Sequence, residues 1–126
     1  APTDLLWSCT AGTPYVPSPV VVDNRLYMTS QNNAILTCLD AKNGEKIFGP
    51  LRLPEIQSLY ASPVAAAGRL YFTGRDGTVA VLAAKDTFET LAINRLNDPM
   101  DASPVAVDRQ LFLRGASHVY CIEAAE

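Results

Sequence analysis

The side chains that could do chemistry in this chain are few and scattered. His118 is its single histidine, and its three cysteines, Cys9, Cys38 and Cys121, lie far apart. A zinc site needs several nitrogen or sulfur ligands close together, and no CxxC or CxxH spacing supplies them. Ser117 stands beside His118, but a catalytic triad also needs a carboxylate that orients the imidazole. Asp76-Gly77 lacks the alternating carboxylates of a calcium loop and has the composition of a hairpin turn. These residues predict no catalytic group, no metal site and no cofactor. Three cysteines cannot all pair within one chain. Buried thiols are the plain reading, and pairing of Cys9 with Cys121 stays open.

Composition narrows the classes further. Hydrophobic residues make up 48% and charged residues 18%, so the chain can bury a core. Its net charge is −3 and its ten Lys and Arg are dispersed, which argues against a nucleic-acid surface. No apolar run approaches the ~20 residues of a membrane-spanning helix. The length fits one domain, 1–126. The opening Ala1-Pro2-Thr3 reads as a processed or excised segment.

A repeat supplies the elements that would position any site. Ser62-Pro63-Val64 through Leu70-Tyr71-Phe72 has counterparts at Ser18-Pro19-Val20 to Leu26-Tyr27-Met28 and at Ser103-Pro104-Val105 to Leu111-Phe112-Leu113. A period of about 40 residues signals a propeller or a solenoid. Each repeat opens with a Val- or Ala-rich strand and a tight turn. Arg25 to Ser30 and Arg69 to Thr73 then alternate as half-buried strands do. Ala34 to Ala41 and Thr78 to Ala84 predict third strands. Glu45 to Phe48 and Phe88 to Ile93 predict fourth strands after hairpin turns. Gly49 to Tyr60 reads as a connector, and the third repeat stops one strand short.

The fold class is therefore all-β: a β-propeller of four-stranded antiparallel blades, three per chain, with repeats starting near 18, 62 and 103. An N-terminal strand, residues 4–10, is expected to complete a blade. Trp7, Phe48 and Leu91 are expected to be equivalent packing residues between blades. Three blades fall short of the four to eight of an ordinary ring. Either a homodimer closes a six-bladed ring, or the rest of a longer propeller does.

In a meander, the turns between second and third strands share a rim with the connectors between blades. That rim gathers the candidate ligand-binding residues: Tyr15, Tyr60 and Asp101 from connectors, Arg75 and His118 from turns.

The pattern S-P-V-x-x-x-x-x-L-Y, followed by Leu39-Asp40-Ala41 and Lys42-Asn43-Gly44-Glu45-Lys46-Ile47-Phe48, resembles the repeats of the PQQ-like β-propellers. The resemblance covers nearly the whole chain. It is strongest in kind to non-catalytic bacterial members similar to the propeller lipoprotein of the outer-membrane β-barrel assembly machinery. It implies a protein-interaction or assembly scaffold with a periplasmic or other extracytoplasmic location. The family's enzyme branch implies a PQQ/calcium-dependent quinoprotein dehydrogenase, of which this chain would be a fragment. That branch carries acidic calcium ligands and adjacent cysteines, and here no two cysteines are adjacent. A small-ligand or glycan-binding propeller, using Tyr15, Tyr60 and Asp101, is the third reading.

Overall fold

Tight turns and alternating strands build three sheets. The structure, a computed structural model, describes residues 4–123, so the first and last three residues of the 1–126 segment lie outside it. In the first sheet β1 (Val20–Val22), β2 (Arg25–Thr29), β3 (Ile35–Asp40) and β4 (Lys46–Arg52) pair antiparallel in chain order. The second repeats this with β5 (Val64–Ala66), β6 (Arg69–Thr73), β7 (Thr78–Ala83) and β8 (Thr90–Arg95). The third holds β9 (Val105–Val107), β10 (Gln110–Arg114) and β11 (Val119–Glu123). No helix occurs among the described residues. The turn residues Asp23 and Asn24 both take positive φ, 49° and 63°, as two-residue hairpins require.

The opening strands β1, β5 and β9 lie side by side and form the inner edge of the wedge. The Ser-Pro serines stitch that edge. Ser18 N–H donates to Ser62 Oγ at 2.8 Å, and Ser62 N–H donates to Ser103 Oγ at 2.9 Å. Proline follows each serine and sets the entry to its strand. Each bond thus links equivalent serines of successive blades.

Alternation along the strands decides what faces which blade. Tyr27, Leu36 and Cys38 of the first blade meet Leu70, Phe72, Ala80 and Leu82 of the second in one buried cluster. Phe48 from β4 packs on that cluster between Tyr27 and Phe88, its ring centroid 6.3 Å from each. The second junction is thinner. Val79, Met100 and Leu113 form its buried centre, with Tyr71, Leu96, Leu111 and Tyr120 around them.

Three expectations need correction. Residues 5–10 make no ladder, so the predicted N-terminal strand is absent from this fold and does not complete the third blade. The segment instead turns back on the first blade. Trp7 Nε1 donates to Ala41 O at 2.9 Å, and the indole lies over Gly44, where a Cβ would stand 2.6 Å from Trp7 Cε3. Gly12 lies close to Thr37 Oγ1. Met28, Thr37 and Leu39, on the blade face turned away from the second blade, are buried. Second, β4 runs on through Arg52, into the predicted connector, because Leu36↔Leu51 and Ile35↔Arg52 continue the ladder. Third, Leu91 is not the equivalent of Phe48. The chain runs one residue further from Leu82 to its partner Thr90 than from Leu39 to its partner Lys46, so Val81 pairs with Ala92 as Cys38 pairs with Phe48. Ala92 therefore holds the aromatic position of the second blade, and Leu91 is left 44% exposed.

This packing predicts unequal costs. Phe48→Ala should destabilise by about 2 kcal/mol, because it opens the filled junction. Leu91→Ala should cost less than about 1 kcal/mol. Urea denaturation of the two variants measures the difference, and equal costs would contradict the assigned register.

Candidate functional site

The rim is built by backbone before any side chain is placed. Gln31 N–H donates to Thr13 O, Arg75 N–H to Ser58 O and Ala116 N–H to Pro99 O, so each turn binds the connector ahead of it. Leu59 N–H to Asn32 O and Met100 N–H to Arg75 O then tie each later connector to the preceding blade's turn. Turns and connectors thus alternate along one continuous edge.

This edge brings three of the sequence candidates together. Arg75 lies over the Tyr60 ring, its Cζ 3.8 Å from the centroid. Its Nε donates to Asp101 Oδ1 at 2.8 Å and its Nη2 to Asp101 Oδ2 at 3.4 Å. The hydrogen bond to Asp101 raises the guanidinium's pKa still further. The trio spans both junctions, since Tyr60 precedes the second blade and Asp101 the third. It is partly exposed, and its cation and carboxylate already neutralise each other.

Tyr15 and His118 stand apart from it. Tyr15 lies three residues before a Ser-Pro serine, as do Leu59 and Met100. Those two are 0% and 1% exposed, whereas Tyr15 is 79% exposed. The same position is interior when a blade precedes it and open when none does. His118 packs at a tilt of 40° against Tyr120, ring centroids 5.7 Å apart, with Nδ1 3.9 Å from Asp98 Oδ2.

Asp98 is the residue that sequence reasoning missed. It is 3% exposed, beneath the turn of the third blade. Tyr120 OH donates to its Oδ2 at 2.8 Å, Ser117 Oγ to its Oδ1 at 3.1 Å, and Ser117 N–H reaches both oxygens at 3.3 Å. Burial alone would raise this carboxyl's pKa. The bonds from Tyr120, Ser117 and the Ala116 backbone outweigh burial and hold it below the ordinary value. Gly115 is required beside it, since a Cβ there would stand 2.1 Å from Oδ2. The available signal was Asn97-Asp98-Pro99, a turn sequence that a carboxylate enters easily.

A cleft of about 840 Å³ opens between the second and third blades. Tyr71, Val81 and Ala92 line one wall, and Leu111, Leu113 and Ile122 line the other. Its cause is the small Ala92 where the first blade has Phe48, together with the short third sheet. Sequence alone hid it because Leu91, one residue earlier, looked like the packing residue. Beyond it, Val105, Val107 and Val119 of the third blade are exposed.

The sequence matches no protein-family model and no curated protein. Solved structures do match. BamB from Moraxella catarrhalis aligns with a TM-score of 0.53 at 14% identity, over 83% of this chain and 41% of its own. A europium-containing methanol dehydrogenase aligns with a TM-score of 0.64 at 18% identity, over 94% of this chain and 25% of its own. The fold is that of the PQQ-like β-propellers. The chain spans less than half the length of either neighbour. Three blades of this propeller need further blades to close a ring.

The fold family implies PQQ and calcium in its enzymes. Calcium takes about six to eight oxygen ligands. Asp101 is engaged by Arg75, Asp98 is saturated by hydroxyl and backbone donors, and no three His, Cys, Asp or Glu side chains converge among the described residues. These residues do not fit the group. Cys9, Cys38 and Cys121 are all free thiols. Burial pushes the Cys38 thiol up to about 11, while Cys121 is exposed on β11.

Two outcomes follow. A thiol reagent at neutral pH should label Cys121 in the native protein and Cys38 only on unfolding; rapid native labelling of Cys38 would contradict its burial. Because the Asp98 pKa is depressed on folding, its contribution is present above the ordinary carboxylate pKa and is lost as pH falls through the folded value. Asp98→Asn should therefore flatten the acid limb of a stability-against-pH profile, and an unchanged limb would remove Asp98 from that role.

Proposed function

We propose that this chain is a non-catalytic PQQ-like propeller segment that serves as a protein-interaction or assembly scaffold. The observation that carries the reading is a division of labour on the surface. The charged rim groups are spent on one another, Arg75 on Asp101 and Tyr60, whereas the apolar side chains of the third blade are left open. An exposed apolar sheet face with an unpaired strand edge favours association with polypeptide over turnover of a small substrate.

The serine stitching supports a blade as one kind of partner. Ser103 N–H stands where Ser18 and Ser62 each donate to the next blade, so a following blade with a Ser-Pro serine in register would extend the series. A second copy can supply it. Two such wedges make six blades, within the usual range. That closure requires residues 4–17 to leave the face of the first blade that they now cover.

Light scattering on a size-exclusion column tests this. Twice the 13.6 kDa chain mass, lost on Val107→Asp, supports a ring shared by two copies. A monomer at every concentration, with no partner for the third blade, would sink the scaffold reading. PQQ-dependent absorbance in the presence of calcium would instead favour the enzyme branch.

A further inference from the structure

The hairpin tip of the first blade carries a chemically labile asparagine. Asn43-Gly44 lies in the turn between β3 and β4 and is the one Asn-Gly pair in the chain. Asparagine is among the thermolabile residues, and it is most labile before glycine. Glycine has no Cβ to hinder its own nitrogen from reaching the asparagine side chain. Asn43 is exposed, so solvent has access to its amide.

The fold holds this tip from several sides. Gly44 N–H donates to Asp40 O at 2.8 Å, and Glu45 N–H donates to Asn43 Oδ1 at 2.9 Å. Lys42 N–H and Asn24 Nδ2 both donate to Asp40 Oδ1, at 2.8 and 3.2 Å. Over the tip lies Trp7, in contact with Gly44 and bonded through Nε1 to Ala41 O. Two of these contacts occupy the reacting groups themselves. Gly44 N, which must attack, is engaged by Asp40 O, and the Asn43 side-chain carbonyl is tied to Glu45. Bringing Gly44 N onto Asn43 Cγ requires the peptide between them to rotate, and that rotation drives Gly44 against the indole.

We propose that Asn43 is a site of spontaneous covalent modification and that docking of Trp7 gates it. When Trp7 lifts from the first blade, Gly44 N gives up its proton and attacks Asn43 Cγ. The N–Cγ bond forms, the Cγ–Nδ2 bond breaks, and the departing nitrogen takes a proton and leaves as ammonia. Water then opens the cyclic imide. Cleavage between N and Cγ gives aspartate; cleavage between N and the Asn43 main-chain carbonyl carbon gives isoaspartate, with the chain routed through Cβ. Water is the one co-reactant. Either product adds a carboxylate beside Asp40 and Glu45. The isoaspartyl turn is longer by a methylene and no longer fits beneath Trp7, so the change keeps the segment off once it is made. This goes beyond the scaffold reading and does not rest on it.

Peptide mapping by mass spectrometry tests this on the full chain, incubated at mildly alkaline pH. Asn43 in the native protein should deamidate at least about tenfold more slowly than in a synthetic peptide of residues 38–48, because the reaction must pass through local opening. Trp7→Ala should speed the loss by about three- to tenfold while Cys38 stays closed to a thiol reagent, the sign that the blade is still folded. Trp7→Phe keeps a ring over Gly44 without the bond to Ala41 O and should fall between the two. It carries the test if Trp7→Ala unfolds. Peptide-like loss in the native wild type overturns the proposal, and so does a folded variant that deamidates no faster than wild type. Trp7 is the chain's single tryptophan, so its fluorescence reads the docking. The emission should shift to the red as isoaspartate accumulates, and an unchanged spectrum in the isoaspartyl chain overturns the one-way step.

Discussion

Every sheet in this chain has two apolar faces, and the need to cover both governs the rest of the structure. β-alternation makes this unavoidable, since Tyr27 and Tyr71 point to one side of their blades and Leu70 and Phe72 to the other. The faces are treated in three ways along the chain. Residues 4–17 fold over the outer face of the first blade, fixed by Trp7 on Gly44. The second blade closes the first junction with large side chains. The third blade closes the second junction only near Met100 and leaves its far face open. The gradient runs in one direction, from capped to filled to open.

The polar groups follow from that frame. Sheets packed side by side bring connectors and turns into register at one edge, and their backbones satisfy each other there. Side chains on this edge then find partners at fixed offsets, which is why Arg75 reaches Tyr60 on one side and Asp101 on the other. The buried carboxylate of Asp98 fits the same logic: once under the third turn it must be supplied with donors, and Ser117 and Tyr120 supply them. The repeat extends even to a shared defect. Thr29 and Thr73, equivalent ends of β2 and β6, both bury a hydroxyl without a hydrogen-bond partner among the described residues.

Much of the fold was legible because local rules agree with the global one. Tight turns at Asp23-Asn24 and Gly68, alternation in Arg25–Thr29 and Arg69–Thr73, and the spacing of the Ser-Pro pairs each point to the same four-stranded unit. Half of the candidate site was legible too, since the turn and connector positions of Tyr60, Arg75 and Asp101 follow from a meander. Their mutual contact was not, because it depends on how far one blade is rotated against the next. Leu91 misled because the connection between β7 and β8 is one residue longer than that between β3 and β4, and an offset of one residue exchanges the side chain that faces the neighbour.

The sequence by itself determined the kind of strand, the order of pairing and the number of blades, because these depend on period-2 alternation and on turns that only certain residues can make. The tertiary structure alone decided where Trp7 goes, which residue stands in Phe48's place in the second blade, and that the second junction stays open. The reason is physical. Strand identity is set by neighbours a few residues away, whereas the filling of a junction is set by the volumes of side chains some 40 residues apart, Phe48 with Phe88 at one junction and Ala92 with Ile122 at the other.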